Sequence, residues 1–162
     1  MIPTPPYVDD LLKQFPSLRA RALELERRLN RRAPHVAARG IADVTTGSRA
    51  KLASDGSAPQ PLVIRSIIDL VEGRSLRIER ALSEVLGVSE QEIMQSSFLD
   101  RVHPDDRLRT VREMQRTAAG KVLEGFRIRH GHADGTYLVF EWAAVADDAG
   151  ELCYAVAVVD TE

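Results

Sequence analysis

The sequence predicts an α+β domain: an antiparallel sheet with flanking short helices and one long helix, preceded by an N-terminal helical arm. Three observations predict it. Residues 123–159 read as three strands, Leu123–His130, Thr136–Ala146 and Leu152–Val159, joined by the turn sequences Asp134-Gly135 and Asp147-Asp148-Ala149-Gly150. The apolar residues before them recur mostly at helical rather than alternating spacing. Charge divides the chain: residues 1–60 hold ten Lys/Arg and six Asp/Glu, whereas residues 61–162 hold twelve and eighteen, so a net charge of −2 combines a +4 arm with a −6 body. The 162 residues leave room for one domain plus an arm, divided as 1–60 for arm and linker and 61–162 for the domain.

In the arm, residues 3–8 are too rich in proline for regular structure. A helical turn follows over Asp9–Gln14, and Pro16 takes the first position of a helix running to about Arg32. Leu18, Ala22, Leu25 and Leu29 are spaced by four, three and four residues, and Leu11 and Phe15 extend the rhythm backwards across the interruption at Pro16. Leu11, Phe15, Leu18, Leu25 and Leu29 are therefore the candidate packing seam. Ala33-Pro34 ends the helix, and residues 35–60 read as linker, with the domain boundary near Pro59–Pro61.

In the body, the β-branched stretch Leu62–Val71 reads as a first strand or a short buried helix, and periodicity over so few residues leaves both open. After the turn at Glu72–Ser75 and a short stretch Leu76–Ile78, a helix from about Glu79 to Leu86 stops at Gly87. Ser89 with Glu92 makes a capping box for the next short helix. His103-Pro104-Asp105-Asp106 opens the long helix, with aspartates at its positive end, and Gly120 closes it. Leu108, Val111, Met114 and Gln115 mark its expected inward face, with Arg109, Arg112 and Glu113 turned to solvent.

The last two strands are apolar on both faces. Leu138, Phe140 and Trp142 oppose Tyr137, Val139 and Ala143, while Leu152, Tyr154, Val156 and Val158 alternate with Cys153, Ala155, Ala157 and Val159. Neither face can be left in water. One takes the helices of the domain; the other needs the arm or a second subunit. That face and the arm's seam together predict a homodimer.

Composition excludes several classes. With 44% apolar and 28% charged residues the chain resembles an ordinary soluble protein, and no apolar run approaches the roughly 18 residues of a membrane span. The N-terminus lacks the basic flank and apolar core of a secretory signal. Cys153 is the single cysteine, which rules out an intrachain disulfide. The expectation is a cytoplasmic protein without membrane contact.

From Leu82 to Asp160 the order of motifs resembles the PAS family. The residues that carry the resemblance are Leu86-Gly87, Ser89-Glu90, Val102-His103-Pro104-Asp105-Asp106-Arg107, Arg127-Ile128-Arg129, Asp134-Gly135, Glu141-Trp142, Asp148-Ala149-Gly150-Glu151 and Val159-Asp160-Thr161. The chain departs from the family pattern at Glu79-Arg80-Ala81, where Asn-Pro-Ala is common. The resemblance implies a PAS fold with a terminal PAC-type motif and a sensory, non-catalytic role. It further implies dimerisation through flanking helices and a signal passed to an effector domain or partner protein, with assembly without any ligand as the alternative. It places a small pocket between the inner sheet face and the long helix, near Phe98, Met114, Phe126 and Trp142. Their apolar and aromatic character suits a lipid-like or flat apolar ligand.

Other sites are weaker. His103-Pro104-Asp105-Asp106 is read as a helix start rather than an acid–base pair, and no catalytic residue is assigned. His130-x-His132 with Asp134 lacks a structural-zinc spacing, so no metal is expected. Cys153 lies in a strand, whereas LOV-type flavin domains carry a reactive cysteine in the middle helices, where Ile93–Leu99 has none. Haem is disfavoured because the long helix holds no histidine. Arg27, Arg28, Arg31 and Arg32 sit at a helix C-terminus, where cations are expected on dipole grounds, so nucleic acid is not an expected partner.

Overall fold

The computed structural model describes residues 7–32 and 62–159; the linker and the boundary near Pro59–Pro61 lie outside them. The arm forms two helices, α1 (Tyr7–Lys13) and α2 (Pro16–Arg32). Pro16 has no N–H with which to continue the ladder of α1, so the chain turns at Gln14-Phe15 and Pro16 opens α2 instead.

Leu62–Asp69 is strand β1 and Arg74–Ile78 is β2. β1 pairs antiparallel with β2 on one side and with β5 (Leu152–Val159) on the other. It is thus interior to the sheet with both faces covered, which explains why its sequence is apolar apart from Arg65, Ser66 and the terminal Asp69. Between β2 and the remaining strands lie α3 (Arg80–Leu86), α4 (Glu90–Gln95), a 3-10 turn (Phe98–Arg101) and α5 (Pro104–Ala118). β3 (Leu123–Gly131) and β4 (Tyr137–Ala146) complete a five-stranded antiparallel sheet of order β2-β1-β5-β4-β3.

The helix ends follow the cap chemistry. Gly87 adopts φ +74° and donates its N–H to Ser83 O. Ser89 Oγ accepts the Glu92 N–H at 3.1 Å. A full capping box forms one element later, between Ser97 and Asp100 of the 3-10 turn. Gly150, in the β4–β5 turn, has φ +71°, and a Cβ there would lie 2.3 Å from Ala118 O. Only glycine lets this turn seat against the last turn of α5.

Two apolar clusters flank the sheet. The inner face presents Phe140, Trp142 and Ala144 from β4 and Cys153, Ala155, Ala157 and Val159 from β5 to α3, α4 and α5. The outer face presents Val63, Ile67, Ala143, Val145, Leu152, Tyr154 and Val156, and the arm covers it with Val8, Leu12, Leu18, Ala22 and Leu25. Of the expected seam, Leu18 and Leu25 are fully buried, while Leu11, Phe15 and Leu29 pack at its margin. Within one chain, the arm supplies the cover that the second sheet face needs.

The long helix corrects the sequence expectation. Leu108 is 62% exposed and Gln115 is exposed, whereas Asp106, Thr110 and Thr117 are buried and Glu113 is half-buried. α5 lies on the sheet through short polar side chains. Their hydroxyls are satisfied within the helix: Thr110 Oγ1 donates to Asp106 O at 2.7 Å and Thr117 Oγ1 to Glu113 O at 2.8 Å. A hydroxyl bonded back to its own helix can face inward without an unpaired donor, so the expected stripe is right for Met114, which packs on the core, and wrong for Leu108 and Gln115.

Candidate functional site

Between α5 and the inner sheet face lies a cavity of about 30 Å³. Phe98, Met114, Phe126 and Trp142 all line it, together with the small side chains of Ala144, Cys153 and Ala155. The cavity arises because β4 and β5 carry short side chains at the level where α5 also contributes threonines. Roughly 10–15 Å³ admits one water on this measure, so the space is large enough for a molecule of about solvent size.

Trp142 is held by an aromatic cage with a polar centre. Its Nε1–H donates to His130 Nε2 at 3.0 Å. The His130 ring lies 4.4 Å from that of Phe140 and 5.4 Å, edge-on, from that of Phe98, centroid to centroid. Because Nε2 accepts, the neutral ring carries its proton on Nδ1. Burial, reinforced by the charge of Arg101, pushes the His130 pKa down to about 3.

A pH dependence follows. The unfolded chain takes up a proton at His130 from about pH 6.5 downward, whereas the folded chain does so only near 3, so this residue lowers stability as pH falls through that window. Asp106, held low, adds its loss only below 3.8. Glu79, held above 4.5, acts in the opposite sense. In His130→Gln the amide oxygen still accepts from Trp142 but cannot titrate. Urea midpoints from pH 7 to 4 are expected to fall more steeply for wild type than for this variant; equal slopes would remove His130 as the cause.

The His103–Asp106 segment is a structural staple. His103 Nδ1 accepts the Asp105 N–H at 3.0 Å and so caps α5. Asp106 accepts from Arg129 N, Nε and Nη2 at 3.0, 2.9 and 2.9 Å and from Arg109 Nη2 at 3.2 Å, which pins α5 to β3. These bonds hold the Asp106 carboxyl well below the usual carboxylate range. His130 and His132 do not converge: the first is buried against Trp142, and the second lies 3.0 Å from Asp134. Among the described residues no three His, Cys, Asp or Glu side chains are grouped to hold a metal ion. Burial pushes the Cys153 thiol up to about 12, so it stays protonated and apolar in character. In the arm, Arg27 pairs with Glu24 and Arg28 with Glu124.

The outer face contains a polar tie that the sequence reading missed. Arg65 is 3% exposed. Its Nε and Nη2 donate to Glu79 Oε2 at 3.1 and 3.0 Å, its Nη1 donates to Asp9 Oδ1 at 2.9 Å, and its backbone N–H donates to Glu79 Oε1 at 2.6 Å. One guanidinium therefore links α1 of the arm to β1 and to the start of α3. Burial alone would lower the Arg65 pKa, but Asp9 and Glu79 outweigh it and raise it. Burial pushes Glu79 above its ordinary value, against the pull of Arg65. A second tie joins the Tyr154 hydroxyl of β5 to the Glu26 carboxylate of α2. The available signal was the Arg65-Ser66 pair in an otherwise apolar strand.

No helix among the described residues is long and apolar enough to cross a membrane. No curated protein sequence matches the chain. Solved structures do. A domain of a sensory box sensor histidine kinase/response regulator from Geobacter sulfurreducens is 19% identical, with TM-score 0.52 over 59% of this chain and 81% of that one. The PAS-B domain of Drosophila melanogaster Cycle with bound ethylene glycol is 21% identical, with TM-score 0.52 over 60% and 97%. The PAS domain of an HTR-like protein from Haloarcula marismortui is 14% identical, with TM-score 0.51 over 71% and 92%. At these identities the likeness is one of fold. The PAS fold family itself matches residues 75–159, just over half of the chain. Sequence motifs, the five-stranded sheet and this match agree: the chain belongs to the PAS fold family.

Proposed function

We propose that the chain is a non-catalytic sensory module in which a small apolar ligand occupies the space between α5 and the inner sheet face and thereby regulates an effector domain or partner protein. The observation that carries this is the cavity itself, walled by Phe98, Met114, Phe126 and Trp142 and bounded on the sheet by Ala144, Cys153 and Ala155. Side chains of β4 and β5 alternate between this cavity and the arm, so a guest that shifts the inner face also shifts the surface on which α2 rests. The arm is the natural output. It is held by apolar contacts and by the ties at Arg65 and Tyr154, which give it a defined docked position.

The homodimer expected from an open sheet face has less support, because the arm closes that face within the chain. A dimer formed by stacking two outer sheet faces requires the arms to leave. A ligand-free assembly scaffold is the second reading, favoured by the size of the cavity, about 30 Å³. Native mass spectrometry of freshly purified protein separates the two. A stoichiometric small-molecule adduct is the expected result, and a bare chain mass at every preparation would transfer the case to the scaffold.

A further inference from the structure

We propose that a bulge in β3 couples the cavity to the arm. Phe126, on one side of the bulge, is the gate through which an apolar ligand enters, and Glu124, on the other side, is held by Arg28 of α2. This rests on the reading of the apolar cavity as a ligand site and adds its entrance and its link to the arm.

The walls of the cavity are unequally covered. Trp142, Ala144, Cys153 and Ala155 on the sheet are buried, whereas Met114 of α5 and Leu123 and Phe126 of β3 are half-buried. The entrance therefore lies between α5 and the start of β3. Phe98 is half-buried as well, but its side is tied: its ring stands edge-on to those of His130 and Trp142, and its N–H donates to Gly73 O at 2.7 Å. β3 is an edge strand, and at the entrance its ladder is interrupted. Leu123 pairs with Ala144 and Phe126 with Trp142, so Glu124 and Gly125 together oppose the single Ala143. Gly125 takes φ +69°, the left-handed conformation that such a bulge uses. A bulged edge opens at less cost than a continuous ladder, because fewer backbone bonds have to part.

Two arginines hold the bulge, one from each side. Arg109 of α5 places its guanidinium carbon 5.1 Å from the centroid of the Phe126 ring and donates through Nη2 to Arg127 O at 3.0 Å. Its side chain is exposed, where a cation over a ring makes a weak contact, so it steadies Phe126 without locking it. From the arm, Arg28 Nε donates to Glu124 Oε2 at 2.8 Å, and the Glu124 side chain is only 12% exposed. The neighbouring Arg27 pairs instead with Glu24, inside α2. With about 30 Å³ of free space, a ring-sized guest fits only when Phe126 moves aside. That movement re-forms the bulge and draws Glu124 away from Arg28. Occupancy and the Arg28–Glu124 contact are thus opposed, and each weakens the other by the same factor.

Trp142 is the single tryptophan of the chain and lines the cavity, so its fluorescence reports occupancy. The probe is toluene, added to the full chain. Arg28→Gln and Arg109→Gln are each expected to tighten toluene binding several-fold, and Arg27→Gln to leave it unchanged. In wild type, saturating toluene should speed amide hydrogen exchange in α2. All three arginine variants replace exposed side chains, and each is first checked for an unchanged circular dichroism spectrum. Toluene that binds wild type and Arg28→Gln equally, or an Arg27→Gln that matches Arg28→Gln, overturns the coupling and leaves the cavity standing as a ligand site. Failure of toluene to bind wild type and Phe126→Ala alike removes both.

Discussion

Arg65→Met is expected to destabilise the fold by about 3–5 kcal/mol at neutral pH, the cost of leaving a buried charge without its partner. Methionine keeps the length and apolar stem of the side chain, so little of the loss comes from packing. What remains is the Glu79 carboxylate, 8% exposed, with its cation gone, and Asp9 released from β1. The pH profile identifies the cause. Glu79 already titrates above its ordinary 4.5 because of burial, and Arg65 is what restrains it; without Arg65 its folded-state pKa rises further. A carboxyl that binds its proton more tightly in the folded state gains stability as pH falls through that raised pKa. The deficit of Arg65→Met should therefore be smaller at pH 5 than at pH 7, and Arg65→Met combined with Glu79→Gln should recover part of it at pH 7. Urea denaturation at the two pH values provides the measurement. A deficit below about 1 kcal/mol, or one that grows as pH falls, would show that the triad is not the tie described here.

The second large effect concerns the arm as a whole. Removing residues 1–34 uncovers Val63, Ile67, Val145, Tyr154 and Val156 and discards the burial of Val8, Leu12, Leu18 and Leu25. At about 1.5–3 kcal/mol for each buried aliphatic side chain, the loss for these four is about 6–12 kcal/mol, an upper figure because unfolded chains already bury some of this surface. That is comparable with the whole stability of an ordinary domain, about 5–15 kcal/mol. The truncated protein is expected to aggregate or to unfold at much lower denaturant, and to bind a hydrophobic dye where the full chain does not. Leu18→Ala and Leu25→Ala grade the same effect, each costing about 2–5 kcal/mol. If the truncated chain stays monomeric by light scattering with an unchanged midpoint, the arm is a tail and its part in signalling falls with it.

Periodicity and local chemistry made much of this legible in advance. Aromatic and β-branched residues in Tyr137–Ala146 and Leu152–Val159, with the turn sequence Asp147-Asp148-Ala149-Gly150 between them, specify strands because such side chains pack well on a pleated surface. Pro16, Gly87, Ser89 and Pro104 mark helix ends because they meet, or lack, particular backbone groups. The spacing of Leu18, Leu25 and Leu29 marks a buried stripe on α2 whatever lies opposite. All of these depend on a residue and its near neighbours in the chain.

What tertiary structure decided depends on residues that are distant in sequence. An apolar stripe and an apolar sheet face announce that each must be covered, but the hydrophobic effect is non-directional; only the folded chain shows that the arm covers its own sheet. Leu62–Asp69 became a strand because β2 and β5 flank it, a pairing its own composition does not state. α5 turned its threonines inward and Leu108 outward because small side chains let a helix lie close to a sheet, and that depends on what the sheet presents. Asp9, Arg65 and Glu79 form one buried network across three elements, and His130 is neutral because Trp142 and two phenylalanines enclose it. Charge and burial at such positions are set by neighbours brought from elsewhere in the chain.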